Sequence, residues 1–292
     1  MISSEILKKV RRIEIYTRNL VNSVFSGEYQ SVFKGRGMEF NEVRSYTPGD
    51  DIRDIDWNVT ARTGLPHIKV YQEERELTLM LLVDASSSGQ FGTVRQLKQE
   101  IATEICALLA FSAIKNNDRV GLILFTDKIE KYIPPKKGRK HVLRVVREIL
   151  SFEPERTGTD INCGIEFVSR IIKRKCVVFL VSDFLSEGYE KGLRVANKKH
   201  DLIAITMTDP REIEMPDIGM ANLEDVETGE RILVDTSDRR TRELFAAKAR
   251  ERLSSRNNFF NSIDLENIPI VTDRSYVDPL VKFFKNRANK FA

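Results

Sequence analysis

The sequence predicts an α/β fold: a doubly wound, mostly parallel sheet with helices on both faces. From residue 77 onward, short runs rich in Leu, Val and Ile alternate with longer segments whose apolar residues recur at helical spacing. The short runs are apolar at successive positions, which is typical of strands buried on both faces of a parallel sheet. Alternation of strand and helix favours parallel pairing with helices packed on each face.

The individual elements follow from these patterns. Strands are predicted at 77–83, 119–126, 175–181, 201–207 and 267–271, and 128–133 returns as a hairpin after the second of them. Helices are predicted at 93–116, 139–151, 160–173, 187–199, 239–257 and 275–287. A further hairpin is predicted at 222–235, with its turn at Thr228-Gly229.

Residues 1–76 are predicted to precede this domain, which then covers residues 77–292. Residues 4–24 have the pattern of a basic amphipathic helix. We expect it to dock on the body of the protein, with contact to a membrane or a partner as the alternative. Residues 26–66 are polar and lack periodicity, so they are predicted as a long loop, and 67–75 alternate as an edge strand.

Composition argues against several classes of function. The 292 residues carry a formal net charge of +4, from 47 basic and 43 acidic side chains, which is too even to indicate nucleic acid binding. Three cysteines form no Cys-x-x-Cys pair, and their odd number fits a reducing compartment. No apolar run nears the roughly 18 residues of a membrane span. A signal-peptide pattern is also missing, so we expect a cytoplasmic protein.

Oxygen-bearing side chains directly follow the first buried strand. The apolar run 77–83 ends in Asp84-x-Ser86-x-Ser88. Ligands of open α/β sheets bind at the carboxyl ends of the strands. Carboxylate and hydroxyl oxygens suit Mg²⁺, Mn²⁺ or Ca²⁺ rather than zinc. One carboxylate and two hydroxyls supply too little charge to hold a divalent ion, so neighbouring strand ends must contribute.

Two more residues stand where such a site needs them. Thr159 precedes the helix predicted at 160, and Asp183 follows the strand 175–181. The structural alternative for each is a cap of the following helix. Without an ion, carboxylates of Asp84 and Asp183 about 5 Å apart would repel by about 3 kcal/mol at an effective dielectric constant of about 20. We therefore expect an ion to stabilise the fold as well.

These five positions resemble the metal-ion-dependent adhesion site (MIDAS) of the von Willebrand factor A domain, which combines an Asp-x-Ser-x-Ser strand end, a Thr loop and a later Asp. The resemblance implies that Ser86, Ser88 and Thr159 bind the ion directly, while Asp84 and Asp183 act mostly through water. It also implies an open coordination position, which a carboxylate from a partner protein fills. The expected cofactor is Mg²⁺, with Mn²⁺ or Ca²⁺ as alternatives.

The charged segment 35–62 and the C-terminal segment 271–284 resemble the bacterial domain-of-unknown-function 58 (DUF58) family, and the likeness covers nearly the whole chain. Many members carry transmembrane helices upstream, so this chain looks like a short, soluble form. The family implies a MoxR-type AAA+ ATPase as partner, with this chain as its adaptor or cofactor. We expect the charges of 35–62 to form ion pairs that pin the segment, with partner docking or an internal metal ligand as alternatives. Trp57 is expected to anchor the segment in a pocket.

The function expected from these patterns is non-enzymatic: a metal-dependent protein-interaction module. One alternative is a Mg²⁺-dependent phosphoryl or ester hydrolase that uses the same strand ends, for which Cys163 and Asp160 are the nearest candidates for a general base. The other alternative is a scaffold whose metal site is vestigial or closed by its own loop.

Overall fold

The computed structural model describes residues 4–21, 38–73, 77–87, 97–154, 158–224 and 231–291. Two compact units divide the chain: a main unit of residues 1–32 and 78–292, and a smaller one, Phe33–Leu77, which we call the charged unit. The predicted domain division between residues 76 and 77 lies next to the end of the charged unit. The N-terminal helix, which the sequence analysis placed before that division, belongs to the main unit.

The elements are numbered in chain order. The strands are β1 (Met38–Ser45), β2 (His67–Glu73), β3 (Thr78–Asp84), β4 (Arg119–Phe125), β5 (Ile129–Lys136), β6 (Val177–Ser182), β7 (Asp201–Thr208), β8 (Met220–Glu224), β9 (Arg231–Asp235) and β10 (Glu266–Val271). The α-helices are α1 (Ser4–Leu20), α2 (Trp57–Thr63), α3 (Lys98–Lys115), α4 (Arg139–Leu150), α5 (Ile161–Ile171), α6 (Glu190–Lys199), α7 (Arg239–Ser262) and α8 (Val277–Phe291). Short 3₁₀ turns lie at Ile52–Asp54 and Pro210–Glu212.

A six-stranded sheet forms the centre of the main unit. Its spatial order is β10-β7-β6-β3-β4-β5. All neighbours are parallel except β4 and β5, which pair antiparallel. The predicted α/β fold with a mostly parallel sheet is therefore confirmed, including the antiparallel return of β5.

Helices cover both faces of this sheet. Met80 and Leu82 of β3 join a buried cluster with Ile165 of α5 and Leu193 of α6. Successive strand side chains point to opposite faces, so Leu81, which is also fully buried, faces the other side. There α1, α3 and α4 pack on one another, and α3 contacts β3 and β4. The two-sided burial explains why β3 is apolar at successive positions.

The register of the sheet aligns the carboxyl ends of its central strands. Asp84 pairs with Phe125 of β4, and the preceding residue of β3 pairs with Val181 of β6. Ser182, the last residue of β6, pairs with Thr206 of β7. Residues that follow β3, β4, β6 and β7 therefore emerge along one edge.

The charged unit contains more regular structure than the sequence predicted. Residues 26–66 were expected to be one irregular loop, but β1 and α2 lie within them. β2 forms as predicted and pairs antiparallel with β1. The local cause of α2 is Asp56, whose carboxylate caps the helix by accepting hydrogen bonds from the N–H groups of Asn58 and Val59. A helix of seven residues is too short to show a periodic pattern in the sequence.

The expected ion pairing is present in this unit, but the expected burial of Trp57 is wrong. Arg44 donates two hydrogen bonds to the Asp50 carboxylate, at 2.9 and 2.7 Å. Trp57 exposes 69% of its surface, and no other residue of α2 is buried either.

Parts of several predicted elements lie outside the described residues. These are the end of the helix predicted at 4–24, the end of the strand predicted at 67–75, the first residues of the helix predicted at 93–116, and the turn at Thr228-Gly229. Every helix in the described ranges is too short or too polar to cross a membrane.

Candidate metal centre

The ends of β3 and β6 meet through a side-chain hydrogen bond. The hydroxyl of Ser182 donates to Oδ2 of Asp84 at 2.7 Å. Asp183 follows Ser182 directly and is only 7% exposed. The structure thus brings two of the predicted residues, Asp84 and Asp183, to neighbouring strand ends.

The second oxygen of Asp84 is bound by the residue two positions on. The backbone N–H of Ser86 donates to Oδ1 of Asp84 at 3.0 Å, and the Ser86 hydroxyl also hydrogen-bonds this carboxylate. Ser86 is 2% exposed, so its hydroxyl is held at the strand end. Ser88, the third residue of the predicted motif, lies outside the described residues.

Asp183 sits in a tight turn. Its Oδ1 accepts a hydrogen bond from the N–H of Leu185 at 3.2 Å, and the N–H of Phe184 donates to the Ser182 hydroxyl at 3.1 Å. Phe184 has a φ of +56°, an uncommon conformation for a residue with a side chain. Arg256 donates to the carbonyl oxygen of Asp183 at 3.3 Å. The next helix, α6, begins only at Glu190 with Tyr189 as its N-cap, so Asp183 is not a helix cap.

Thr159 lies at the end of the strand on the other side of β3. The N–H of Asp160 donates to the carbonyl oxygen of Thr126 at 3.0 Å, one residue beyond β4. The N-cap of α5 is Asp160, whose carboxylate accepts from the N–H of Asn162. Thr159 therefore does not cap this helix, and it stands at the same sheet edge as Asp84.

A buried lysine that the sequence analysis did not single out completes the group. Lys98, the first residue of α3, is 3% exposed. Its Nζ donates to Oδ2 of Asp183 at 3.0 Å and also binds the carboxylate of Glu212. The sequence carried one signal for it: Lys98 falls three and seven positions before Ile101 and Ile105, on the apolar stripe of the helix.

Glu212 extends the polar network to the next two strand ends. Its Oε2 accepts a hydrogen bond from the N–H of Asp209, which follows β7, at 2.9 Å. The hydroxyl of Thr272, which follows β10, donates to Oδ2 of Asp209 at 2.8 Å. Hydrogen bonds and ion pairs thus link the ends of β3, β6, β7 and β10.

Burial disfavours the ionised form of two carboxylates in this network, although the ammonium group of Lys98 pairs with Asp183 and Glu212. Burial and the nearby charge of Asp183 raise the pKa of Asp84 from 3.8 to about 6, although hydrogen bonds from Ser182 and Ser86 oppose the shift. Burial also raises the pKa of Glu212 above its usual range, against the attraction of Lys98. For Lys98, burial lowers the pKa but the charges of Asp183 and Glu212 outweigh it, so the pKa is raised and the ammonium is charged.

The donor set fits a hard divalent cation. A cavity of about 20 Å³, room for about one water molecule, is lined by Asp84, Lys98, Ser182 and Asp183, among others, but by neither Ser86 nor Thr159. Within the described ranges, no group of three or more His, Cys, Asp or Glu side chains is arranged to hold a metal. An ion here would therefore depend on hydroxyl oxygens beside the two carboxylates, as Mg²⁺ and Ca²⁺ allow. Each carboxylate oxygen can accept a second hydrogen bond, so the contacts described above leave Asp84 and Asp183 with capacity to accept from water on a bound ion.

Comparison with known proteins identifies the family. Residues 42–255 match a family model described as "Protein of unknown function DUF58". The chain belongs to the DUF58 family. It is also 30% identical over 282 residues to an uncharacterized protein of Mycobacterium tuberculosis (strain ATCC 25618 / H37Rv). The aligned region covers 95% of this chain and 88% of that protein.

Solved structures give weaker likenesses. The conserved hypothetical protein BatB from Bacteroides thetaiotaomicron aligns with a TM-score of 0.48 and 16% identity, over 73% of this chain and 99% of that one. The VWA domain of SpRpn10 aligns with a TM-score of 0.40 and 12% identity, over 70% of this chain and 94% of that one. Membership in DUF58 rests on the sequence match alone.

Proposed function

We propose that this DUF58 protein is a non-enzymatic, divalent-metal-dependent interaction module. The metal ligands in this proposal are Asp84, Ser86, Ser88, Thr159 and Asp183, used in the manner of a MIDAS. One observation carries the proposal most: the Ser182–Asp84 hydrogen bond of 2.7 Å, which holds two carboxylates at adjacent strand ends. The raised pKa of Asp84 supports it, since a cation would relieve the repulsion that contributes to that shift.

The chemistry of the ligands suits reversible capture of an acidic group. When bound, the ion would supply a strong electrophile, because hydroxyl ligands are neutral and leave most of its charge uncompensated. Ser86 and Thr159 would bind it directly, and Asp84 and Asp183 would orient its waters. An Asp or Glu of a partner protein would take the open position. Following the family resemblance, the partner we propose is a MoxR-type AAA+ ATPase, which this chain would serve as adaptor.

The environment of Cys163 argues against its use as a base in the hydrolase alternative. Burial, together with the charges of Asp160, Glu166 and Asp127, raises the pKa of the Cys163 thiol. A raised pKa leaves little thiolate for nucleophilic or base catalysis.

Metal titration and partner capture together test the proposal. We expect Mg²⁺, Mn²⁺ or Ca²⁺ to bind the wild-type protein in calorimetry and to raise its melting temperature. Asp84→Ala should abolish both effects, whereas Asp278→Ala, at an exposed position of α8, should keep both. In a pull-down with the MoxR-type ATPase of the same organism, excess chelator and Asp84→Ala should both remove the partner. Capture that persists unchanged in chelator would refute the metal-dependent mechanism.

A further inference from the structure

Lys98 occupies an unfavourable position for a lysine. It is the first residue of α3, where the helix dipole disfavours a positive charge. Its side chain is only 4% exposed, and burying an ammonium group is costly unless its partners compensate. The fold would gain more from an apolar residue on this stripe, since Ile101 and Ile105 pack fully inside.

The partners of Lys98 indicate what the charge does. Its Nζ contacts Oδ2 of Asp183, a proposed metal ligand, at 3.0 Å, and it also pairs with Glu212, which has no such role. The Nζ of Lys98 and a divalent ion would therefore compete for the same carboxylate. An ammonium group and a divalent cation around one small cavity also repel each other strongly, because the surroundings are largely dehydrated.

We infer that Lys98 is an internal counter-ion that competes with the divalent ion for Asp183, with Glu212 retaining Lys98 when the ion binds. This inference rests on the proposed metal site and adds its regulation. Lys98 keeps Asp183 neutralised when no ion is bound, and it holds the affinity for the ion below what the oxygen ligands alone would give. Binding would then be weak enough to follow the availability of the ion and of the partner.

The network indicates which segments of the chain should change structure when the ion binds. When Asp183 binds the ion, the ammonium group of Lys98 moves toward Glu212. The other carboxylate oxygen of Glu212 accepts a hydrogen bond from the N–H of Asp209. Asp209 in turn accepts the hydroxyl of Thr272. The turn after β7 and the segment after β10 are therefore the places where the ion should alter the structure beyond its own ligands.

Two substitutions with opposite expected effects test the inference. Lys98→Met removes the competitor, so calorimetry should show Mg²⁺ or Mn²⁺ binding at least about tenfold tighter than to wild type. Glu212→Gln removes the carboxylate that retains Lys98, so binding should weaken at least about threefold. The matched controls are Lys131→Met and Glu148→Gln, from an ion pair of 2.8 Å between β5 and α4. Neither control should change the affinity measurably.

The outcomes separate this inference from the proposed function. If Lys98 only supports the fold, both Lys98→Met and Glu212→Gln will lower the affinity, and the inference is overturned. Equal affinity of wild type and Lys98→Met also overturns it, while the metal site stands. If neither protein binds any of the ions, the metal site itself is rejected. Circular dichroism shows whether the Lys98→Met protein folds, and Lys98→Gln replaces it if it does not. Independently of either variant, a metal affinity of Glu212→Gln equal to or above that of wild type refutes the inference.

Discussion

Asp50 of the charged unit and Asp84 of the main unit are both richly hydrogen-bonded, yet their electrostatic situations are opposite. Two N–H groups of Arg44, the N–H of Thr47 and its hydroxyl all donate to Asp50. The hydrogen bond from Arg44 is the largest cause that holds the pKa of Asp50 well below its usual range. Burial and the charge of Asp183 instead raise the pKa of Asp84 to about 6.

The difference shows that counting hydrogen bonds does not distinguish a structural carboxylate from one that we propose binds a cation. Asp50 has a full positive charge against it, so its ionised form is the favoured one where it stands. Asp84 is buried, its hydrogen-bond donors Ser182 and Ser86 are neutral, and Asp183 lies nearby, so its ionised form is disfavoured even though Lys98 pairs with Asp183. The first arrangement stabilises a loop. In the second, a bound cation would stabilise the ionised carboxylate.

The largest expected difference between the two units is in the free energy of unfolding when an aromatic residue, Phe184 or Trp57, is replaced by Ala. Phe184, next to Asp183, is 3% exposed and packs edge-on against Tyr189 and Phe260. Phe184→Ala should lower the free energy of unfolding by about 3–5 kcal/mol, because it leaves a cavity in the core beneath the site. Urea unfolding monitored by circular dichroism measures this loss.

Trp57→Ala is the matched control for Phe184→Ala. Trp57 is 69% exposed, and exposed substitutions usually change the free energy of unfolding by less than about 0.5 kcal/mol. A large loss of stability in Trp57→Ala would mean that Trp57 is covered in solution, as the sequence had suggested.

A histidine of the main unit gives the protein a predictable dependence on pH. His200 is 1% exposed, and burial, with Lys199 and Lys175, lowers its pKa from 6.5 to about 4. Because the folded state holds the neutral ring, the stability contributed by His200 is complete above pH 6.5 and is lost as the pH falls toward about 4. This loss amounts to about 3 kcal/mol at most, since one pKa unit corresponds to about 1.4 kcal/mol.

His200→Leu should flatten that part of the pH profile. The Nε2 of His200 has no hydrogen-bond partner among the described residues, and Nδ1 contacts the Sγ of Cys176 at 3.4 Å. An apolar replacement therefore removes the titration at the cost of this one weak hydrogen bond. Urea midpoints measured from pH 7 down to about 4 should fall less steeply in the variant than in wild type. Trp57→Ala, which changes no titratable group, should keep the wild-type slope. A slope in His200→Leu parallel to that of wild type would contradict the assignment.

The sheet could be predicted from the sequence because its signals are local. Five residues of β3, from Leu79 to Val83, are buried in succession, and such a run has few interpretations other than a central parallel strand. The placement of Asp84 and Asp183 at one edge follows from the same rule, since parallel strands end on the same side. α2 escaped prediction because it is short and is specified by a single cap, Asp56.

The electrostatics of the site could not be predicted in the same way. The contact of Lys98 with Asp183 joins residues 85 positions apart, and that with Glu212 joins residues 114 apart. Such pairs depend on how α3 and the turn after β7 pack, which no local pattern encodes. Ser182 was overlooked for a related reason: its role appears only when β6 is known to lie beside β3.

The smallest predicted effect is the change in the free energy of unfolding when Asp84 or Asp50 is replaced by Asn. It tests the comparison of these two carboxylates most directly, because the sign of the change should differ between them. Asp84→Asn in excess chelator should raise the free energy of unfolding by about 1–2 kcal/mol at neutral pH. The pKa of Asp84 stands about two units above its ordinary 3.8, which corresponds to about 3 kcal/mol. Part of this is lost, because an amide replaces the carboxylate as acceptor of hydrogen bonds worth about 1 kcal/mol each.

Asp50→Asn should instead destabilise the protein under the same conditions, because it removes the charge that Arg44 holds in a two-point contact. Excess Mg²⁺ should stabilise wild type and Asp50→Asn but not Asp84→Asn. A gain of stability from Asp84→Asn with no response to metal would identify Asp84 as a carboxylate that the fold tolerates for the sake of binding. A loss of stability in both variants would instead make Asp84 a structural residue like Asp50.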